Sequence, residues 1–490
     1  MNPALRYLGL LLLSSIVARA ETDQEAIVRA TAAMNAATNR AQTDSWRPIF
    51  HVTSPAQWVN DPNGPIFHQG FYHLFYQLTP DKDESGIKYW GHVRSRDLAK
   101  WEHLPIAIAP ADDRGEESIW SGCCVVNGLG TPMAFYTSIG KGKSPFTEAT
   151  QWAAVSDDDL IQWRKLPVNP VLTEALQDGK RIYDWRDPFV FRDREKTFMV
   201  LGGSLNESKG GQAVVLIYEA ENPALTKWKY RGVLYQIPDA EARTAECPNF
   251  FKLGDEWVLF VSPYGKVQYY VGAFDAETCR FVPRARGLLD HGPNFYAPNT
   301  MLVPDGRRLV WGWVNGFPSG RGWNGCLSLP RELSISRDGQ LQQMPAPQLS
   351  KLRGPGSKWK NRPLDGRNSV FELPKTNTFE LELELELQTA RGLRLDLQGA
   401  NQPAAVTMAY DGLEFRLHEA RASLPLPKGD RELKLRLFMD RSVLEVFVAD
   451  RVCLTKRIEP LAGDLTLMIR TESGAARLKR LQVWPLKTIW

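Results

Sequence analysis

Three carboxylates stand just ahead of prolines in this chain: Asp61-Pro62, Asp187-Pro188 and Glu246-Cys247-Pro248. Aromatic and polar side chains flank them. Trp58 and Asn60 precede Asp61, Trp185 and Arg186 precede Asp187, and Gln77, Trp90, Trp120, Ser121 and Trp313 lie in short phrases nearby. If such acids converge, one can protonate a leaving oxygen while another attacks carbon or activates water, which is what cleavage of a glycosidic bond requires. Close packing would raise one pKa and leave another group ionised, separating the two roles. Trp58, Trp90, Trp120, Trp185 and Trp313 could stack on sugar faces, and Asn60, Gln77 and Arg186 could orient hydroxyls. Taken singly, a Trp more often packs a core, and a lone Asp-Pro is a common turn. The reading rests on three acids in register. Each proline is expected to hold the residue before it extended and to suit the start of a strand better than its middle.

Convergence needs elements that repeat. "RSRDLAKWEHLP", "VSDDDLIQWRKLP" and "EAENPALTKWKYRG" each place an acidic turn before a Trp that opens a strand: Trp101, Trp163 and Trp228. "FDAETCRFVP" puts Phe281 in the same place, and "RLVWGWV" with "CLSLPREL" supplies a fifth set. A period of roughly 50–65 residues with four short strands per unit marks a β-propeller. Five blades are expected over residues 46–348, with a regularly turned β-sandwich as the competing architecture. Equivalent positions of pseudo-symmetric blades share one channel mouth, so Asp61, Asp187 and Glu246, each at the start of a first strand, should meet there.

The character of the chain changes across the Pro/Gly/Lys-containing stretch 349–358, read as a linker. Beyond it, "FELELELEL" alternates with period two, predicting a β-sandwich over residues 359–490 with one buried and one wet face. Its glutamates are expected on the solvated face and carry no chemistry. A length of 490 residues suits two cores rather than one. Residues 1–20 read as a secretory signal, with Arg6, an apolar run and Ala18-Arg19-Ala20. Residues 21–45 read as a helical lead-in. A secreted or periplasmic location follows. The 60 basic and 56 acidic side chains are spread along the chain and leave no footprint for nucleic acid or an anionic membrane. Six cysteines and seven histidines lack zinc-ligand spacing. No metal or cofactor is expected, and His92 reads as a framework residue.

These phrases resemble glycoside hydrolase family 32, which includes invertases, levanases and inulinases. "WVNDPNG" (residues 58–64), "WRDP" (185–188) and "ECP" (246–248) are similar to its three hallmark motifs. "FYQ", "WGH", "WSG", "NFYAP", "LPREL" and "DRSVLEVFV" fall in its order. The resemblance spans about residues 46 to 490. It implies retaining hydrolysis of terminal β-fructosyl units from sucrose or fructans through a fructosyl-enzyme, with Asp61 as nucleophile, Glu246 as general acid/base and Asp187 as transition-state stabiliser. It also implies that Asn60, Gln77, Trp90, Ser121, Arg186 and Trp313 line the fructose pocket. The chain departs from the family's usual phrases at Val59, Asn249, Asn294 and Asn299, and by "SGCC" beside Ser121. Fructosyl transfer, non-catalytic fructan binding and a propeller glycosidase acting on pentosans are the competing readings.

Overall fold

The computed structural model describes residues 21–490 apart from 174–176, 178, 180, 208–210, 239–241, 367, 401 and 428, and the side chains of 402–404. The expected signal, residues 1–20, lies outside the described residues. Among the described residues the chain is all-β apart from short 3-10 turns and one long helix, Asp23–Thr43, opened by a capping box between Thr22 and Glu25. Its Ala26, Ala30, Met34 and Ala41 are buried against the sheets that follow.

Five sheets then follow in chain order. The first strands of sheets I to V are Gln57–His68, Glu116–Val126, Ile182–Asp193, Glu246–Leu253 and Phe295–Leu302. Sheets II, III and IV are four-stranded antiparallel meanders, each starting with that first strand. Each of the five first strands touches the first strands of two other sheets, and together they close a ring. The ring is closed by hydrogen bonding out of chain order: Trp323–Asn324, from the sheet V segment, pairs parallel beside the first strand of sheet I.

The acidic-turn-to-Trp phrase has a structural cause. Leu98, Leu160 and Leu225 each adopt left-handed backbone, at φ of 62°, 64° and 56°. Three residues on, the indole N–H of Trp101, Trp163 or Trp228 donates to that leucine's carbonyl at 2.9 to 3.2 Å. A left-handed leucine is strained, and the indole bond with its burial offsets the strain while turning the chain into the last strand of each sheet.

Two six-stranded antiparallel sheets occupy the C-terminal part. The leucines of Thr378–Glu386 in one and Gly392–Gly399 in the other share a single apolar cluster. Residues 349–358 take in part of a 3-10 turn, Pro347–Leu352, and the start of the Ser357–Leu364 strand, with Leu349 and Leu352 buried. The glutamates of "FELELELEL" are not the free solvated face expected. Glu380 is buried and accepts from Arg353 at 2.6 and 2.7 Å and from Arg436 at 2.5 Å, and Arg353 also reaches Glu382. Strand alternation sets the face a side chain takes, but the arginines opposite decide whether that face is wet.

Candidate active site

The five first strands share an irregularity at one level. Antiparallel pairing slips by one residue between Val59 and Pro62, Ile119 and Gly122, Arg186 and Phe189, Glu246 and Asn249, and Tyr296 and Asn299. Each is a bulge. Bulges release the pleat, so successive side chains can be re-aimed, and they tolerate proline because a ladder bond is already lost. The extended backbone expected before the prolines does not form at two of the three positions, Asp187 and Cys247. Asp187, Cys247 and Ala297 precede prolines at φ of 62°, 47° and 46°. Such left-handed residues are disfavoured, and they persist where surrounding contacts over-determine them. At Asp187 those contacts include the Thr137 hydroxyl, 2.8 Å from the amide N–H, and the Cys247 amide, 2.9 Å from the carboxylate.

The bulges bring the three acids together. The Cys247 thiol lies 3.6 Å from Oδ2 of both Asp61 and Asp187, bridging acids on sheets I and III. Glu246, the neighbour of Cys247, accepts from Arg186 Nη2 at 2.7 Å on one oxygen and from the Tyr296 hydroxyl at 2.7 Å on the other. Arg186 also donates to the Tyr264 hydroxyl at 2.6 Å. A polar chain leads to Asp61: Asn60 donates to Gln77 at 3.1 Å, Gln77 to Ser121 at 2.6 Å, and Ser121 to Asp61 Oδ2 at 2.5 Å.

Electrostatics follow from this geometry. Burial pushes Asp61 up to about 7; the Ser121 bond opposes this, and the charges of Asp187 and Glu246 add to it. Burial raises Asp187 to about 6, with Arg186 opposing and Glu246 adding. The Cys247 thiol is held well above its usual range by burial and by both aspartates, so it is a neutral donor. Burial works against the charge of Arg186, but Glu246 and Asp187 more than offset it.

Asp61, Asp187, Glu246, Asn60, Gln77, Ser121 and Arg186 therefore belong to one cluster. Trp90 and Trp185 do not line it as exposed faces. Trp90 is fully buried against Phe75 and Tyr136, with its indole N–H on the Trp120 carbonyl at 3.0 Å. Trp185 is buried beside Tyr218. Trp120 and Trp313 are half-buried at the mouth, and Trp313 meets Trp58 edge-on at 5.7 Å. His92 is a framework residue, bonded to His73 at 3.0 Å and stacked on Phe75.

Four participants escaped the sequence reading. Tyr296 occupies in the fifth first strand the position that Glu246 holds in the fourth, and repeat equivalence was the signal that could have found it. Cys247 lay inside a quoted motif. Tyr264 sits between two strands of sheet IV with no sequence signal. Lys88, two residues before Trp90, looks like any surface lysine; its Nζ lies 5.4 and 5.5 Å from the Trp58 and Trp120 rings and feels the Asp61 charge.

The departures at Asn249 and Asn299 are structural. Buried Asn249 donates to the Cys247 and Pro298 carbonyls, which an ionised aspartate could not do. Asn299 donates to the Pro62 and Gly122 carbonyls, tying the first strand of sheet V to those of sheets I and II. Asn294 ties sheet V to the C-terminal part through the Arg457 amide. All six cysteines are free thiols. Among the described residues no group of histidines, cysteines and acids could hold a metal ion.

Converging carboxylates on a ring of β-strands suit the cleavage of a glycosidic bond, and comparison with known proteins shows a glycosidase family. The Glycosyl hydrolases family 32 N-terminal domain matches residues 51–345 and the Glycosyl hydrolases family 32 C terminal matches residues 348–485, so this chain belongs to glycoside hydrolase family 32. It is 32% identical to a sucrose-6-phosphate hydrolase of Escherichia coli, over 90% of this chain and 95% of the relative. It is 30% identical to a levanase of Bacillus subtilis, over 93% of this chain and 72% of the relative. Among solved structures, a mutant β-fructofuranosidase of Bombyx mori in complex with sucrose superposes with a TM-score of 0.80 at 27% identity, covering 95% of this chain and 98% of that one.

Proposed function

We propose that the chain releases terminal β-D-fructofuranosyl units from sucrose or fructans with retention, through a fructosyl-enzyme. The observation that carries this reading is the bridging of Asp61 and Asp187, from two sheets, by the thiol next to Glu246. In the first step an Asp61 oxygen attacks the anomeric carbon and Glu246 gives its proton to the departing glycosidic oxygen. In the second, Glu246 takes a proton from water as that water displaces Asp61. Ser121 and Cys247 donate toward Asp61 and hold its reacting oxygen in place. Asp187, fixed by the Cys247 amide, accepts from fructosyl hydroxyls. Arg186 and Tyr296 keep Glu246 aimed inward.

The same reading takes the ring of five sheets as the blades of one propeller and the two six-stranded sheets as a β-sandwich. The repeated bulge level and the shared leucine core support it. Residues 1–20 direct the chain to export, and N-terminal sequencing of exported protein would test this. A second substrate, sucrose phosphorylated on its glucose, is favoured by the Lys88 cation at the mouth.

The test is fructose release from sucrose, levan, inulin and sucrose 6-phosphate, with Asp61→Asn and Glu246→Gln beside wild type. Release by wild type and its loss in both variants is expected. Wild-type rates in either variant would overturn the assignment, and predominant formation of fructosyl oligomers would reassign the chain to transfer.

A further inference from the structure

Further along the same five first strands, past the bulges, the ring encloses a second space of about 400 Å³. Its wall is largely apolar, with Ile66, Phe67, Val125, Phe189 and Met301 among the lining residues. It is separated from the acids by strand packing. A Cβ on Gly64, which has a φ of 45°, would come within 2.5 Å of the Cys124 sulfur, and the Asn299 amide spans between strands at that level. The charges differ in sign between the two ends. Three cations line this space, Arg192, Lys252 and Arg308, and no carboxylate does among the described residues.

Arg308 is the decisive group. Its guanidinium packs 4.3 Å over the Phe251 ring and makes one hydrogen bond, from Nη1 to the Thr300 hydroxyl at 3.1 Å. Its Nε is buried with no partner. Burial pulls its pKa down to about 9, with no acid compensating. The fully buried Arg186 and Arg331 are paired with acids, Arg186 with Glu246 and Arg331 with Asp290 and Glu445, and buried Arg47 is bonded to the Thr53 hydroxyl and the Ser54 carbonyl; Arg308 is half-buried with no acid beside it among the described residues. A half-buried guanidinium at the edge of an apolar recess, with one buried N–H unpartnered, presents donors and positive charge that an anion entering the recess can pair.

We propose that this end of the ring is an anion site for a small organic carboxylate, whose head pairs with Arg308 and whose apolar body fills the space. A planar guanidinium fork matches a carboxylate in two-point geometry. The apolar wall favours an organic acid over inorganic phosphate. The site lies apart from the three acids and does not depend on the reaction assigned to them.

Benzoate, benzamide and inorganic phosphate would be titrated into the full chain by calorimetry, for wild type, Arg308→Met, Lys252→Met and Asp61→Asn. One saturable benzoate site is expected, with benzamide and phosphate binding more weakly. Arg308→Met should weaken benzoate about tenfold or more, the loss of roughly one charge-assisted hydrogen bond. Lys252→Met, at an exposed position, should weaken it about two- to threefold through lost attraction alone. Asp61→Asn should leave it unchanged. Absence of saturable benzoate binding would overturn the proposal. So would phosphate binding as tightly as benzoate, equal affinity for benzamide, or unchanged benzoate affinity in a folded Arg308→Met.

Discussion

Two buried sets of carboxylates in this molecule are treated in opposite ways. At the bulge level, Asp61 is surrounded by neutral donors and by two further acids, and burial pushes it up to about 7. Between the ring of five sheets and the C-terminal sheets, Asp440, Glu445 and Asp290 are more fully buried than Asp61 and are matched. His51 bonds Asp440 at 2.8 Å and Glu445 at 3.0 Å through its two ring nitrogens. Arg331 bonds Glu445 at 2.8 Å and Asp290 at 3.0 Å. The amides of Ile49, Phe50 and His51 all donate to Asp440. Burial would lower His51, but these two carboxylates outweigh it and hold it at about 9. As the proposed nucleophile, Asp61 must lose its charge when it forms the ester, and its surroundings leave that charge poorly stabilised. A structural acid must never change, and cations hold it.

The comparison breaks most visibly at Asp61. Asp61→Asn is expected to reduce kcat at least about a thousandfold, because the proposed nucleophile is removed without a change of shape. Stability should not suffer. The folded-state pKa lies above the unfolded one, so ionising Asp61 costs stability as pH rises from about 4 to about 7. A thermal midpoint at pH 8 no lower than wild type, beside a collapsed kcat, would confirm both halves.

The opposite outcome is expected at the interface. Arg331→Met leaves Asp290 buried without a cation and Glu445 with His51 alone, and should destabilise the fold by about 3–5 kcal/mol. Activity per folded molecule should be near wild type. Urea denaturation with activity normalised to the folded fraction measures this, and a loss of kcat without a loss of stability would erase the contrast.

pH should separate the two regions. His51 has a raised folded-state pKa, so its contribution to stability is fully present below about 6.5 and is lost as pH rises toward about 9. Thermal midpoints from pH 6 to 9.5 should fall in wild type and fall less in His51→Gln. The acidic limb of kcat/KM should lie lower, between about 6 and 7, where the coupled Asp61 and Asp187 ionise.

The smallest effect sharpens the picture at the mouth. Lys88 is a cation near Asp61, so Lys88→Met should move that acidic limb upward by a few tenths of a pH unit, roughly the reach of a half-screened charge. An unmoved limb would remove Lys88 from the electrostatics of the site.

Much of this was legible in the residues alone. The recurrent acidic turn before Trp101, Trp163 and Trp228 marked the sheet series because an indole bond to a left-handed leucine needs one local spacing each time. The prolines after Asp61, Asp187 and Cys247 marked the strand level that carries chemistry, although the expected extended geometry was wrong at Asp187 and Cys247. A local steric preference yielded there to bulge contacts made by distant strands. Trp90 and Trp185 lay in the right phrases and point into cores, since a motif records neighbours in sequence and not the side a bulge presents.

Residue type, spacing and period thus determined an all-β chain, its sheet order and three acids of common purpose, because those depend on local turns and alternation. Tertiary structure alone decided which charges are paired. Asp440 and Glu445 sit in a strand phrase no different in kind from "FELELELEL", and Arg308 resembles any strand-end arginine. Whether a charge finds a partner depends on what strands hundreds of residues away place against it, and the energy of that pairing is set by burial, which has no local signature.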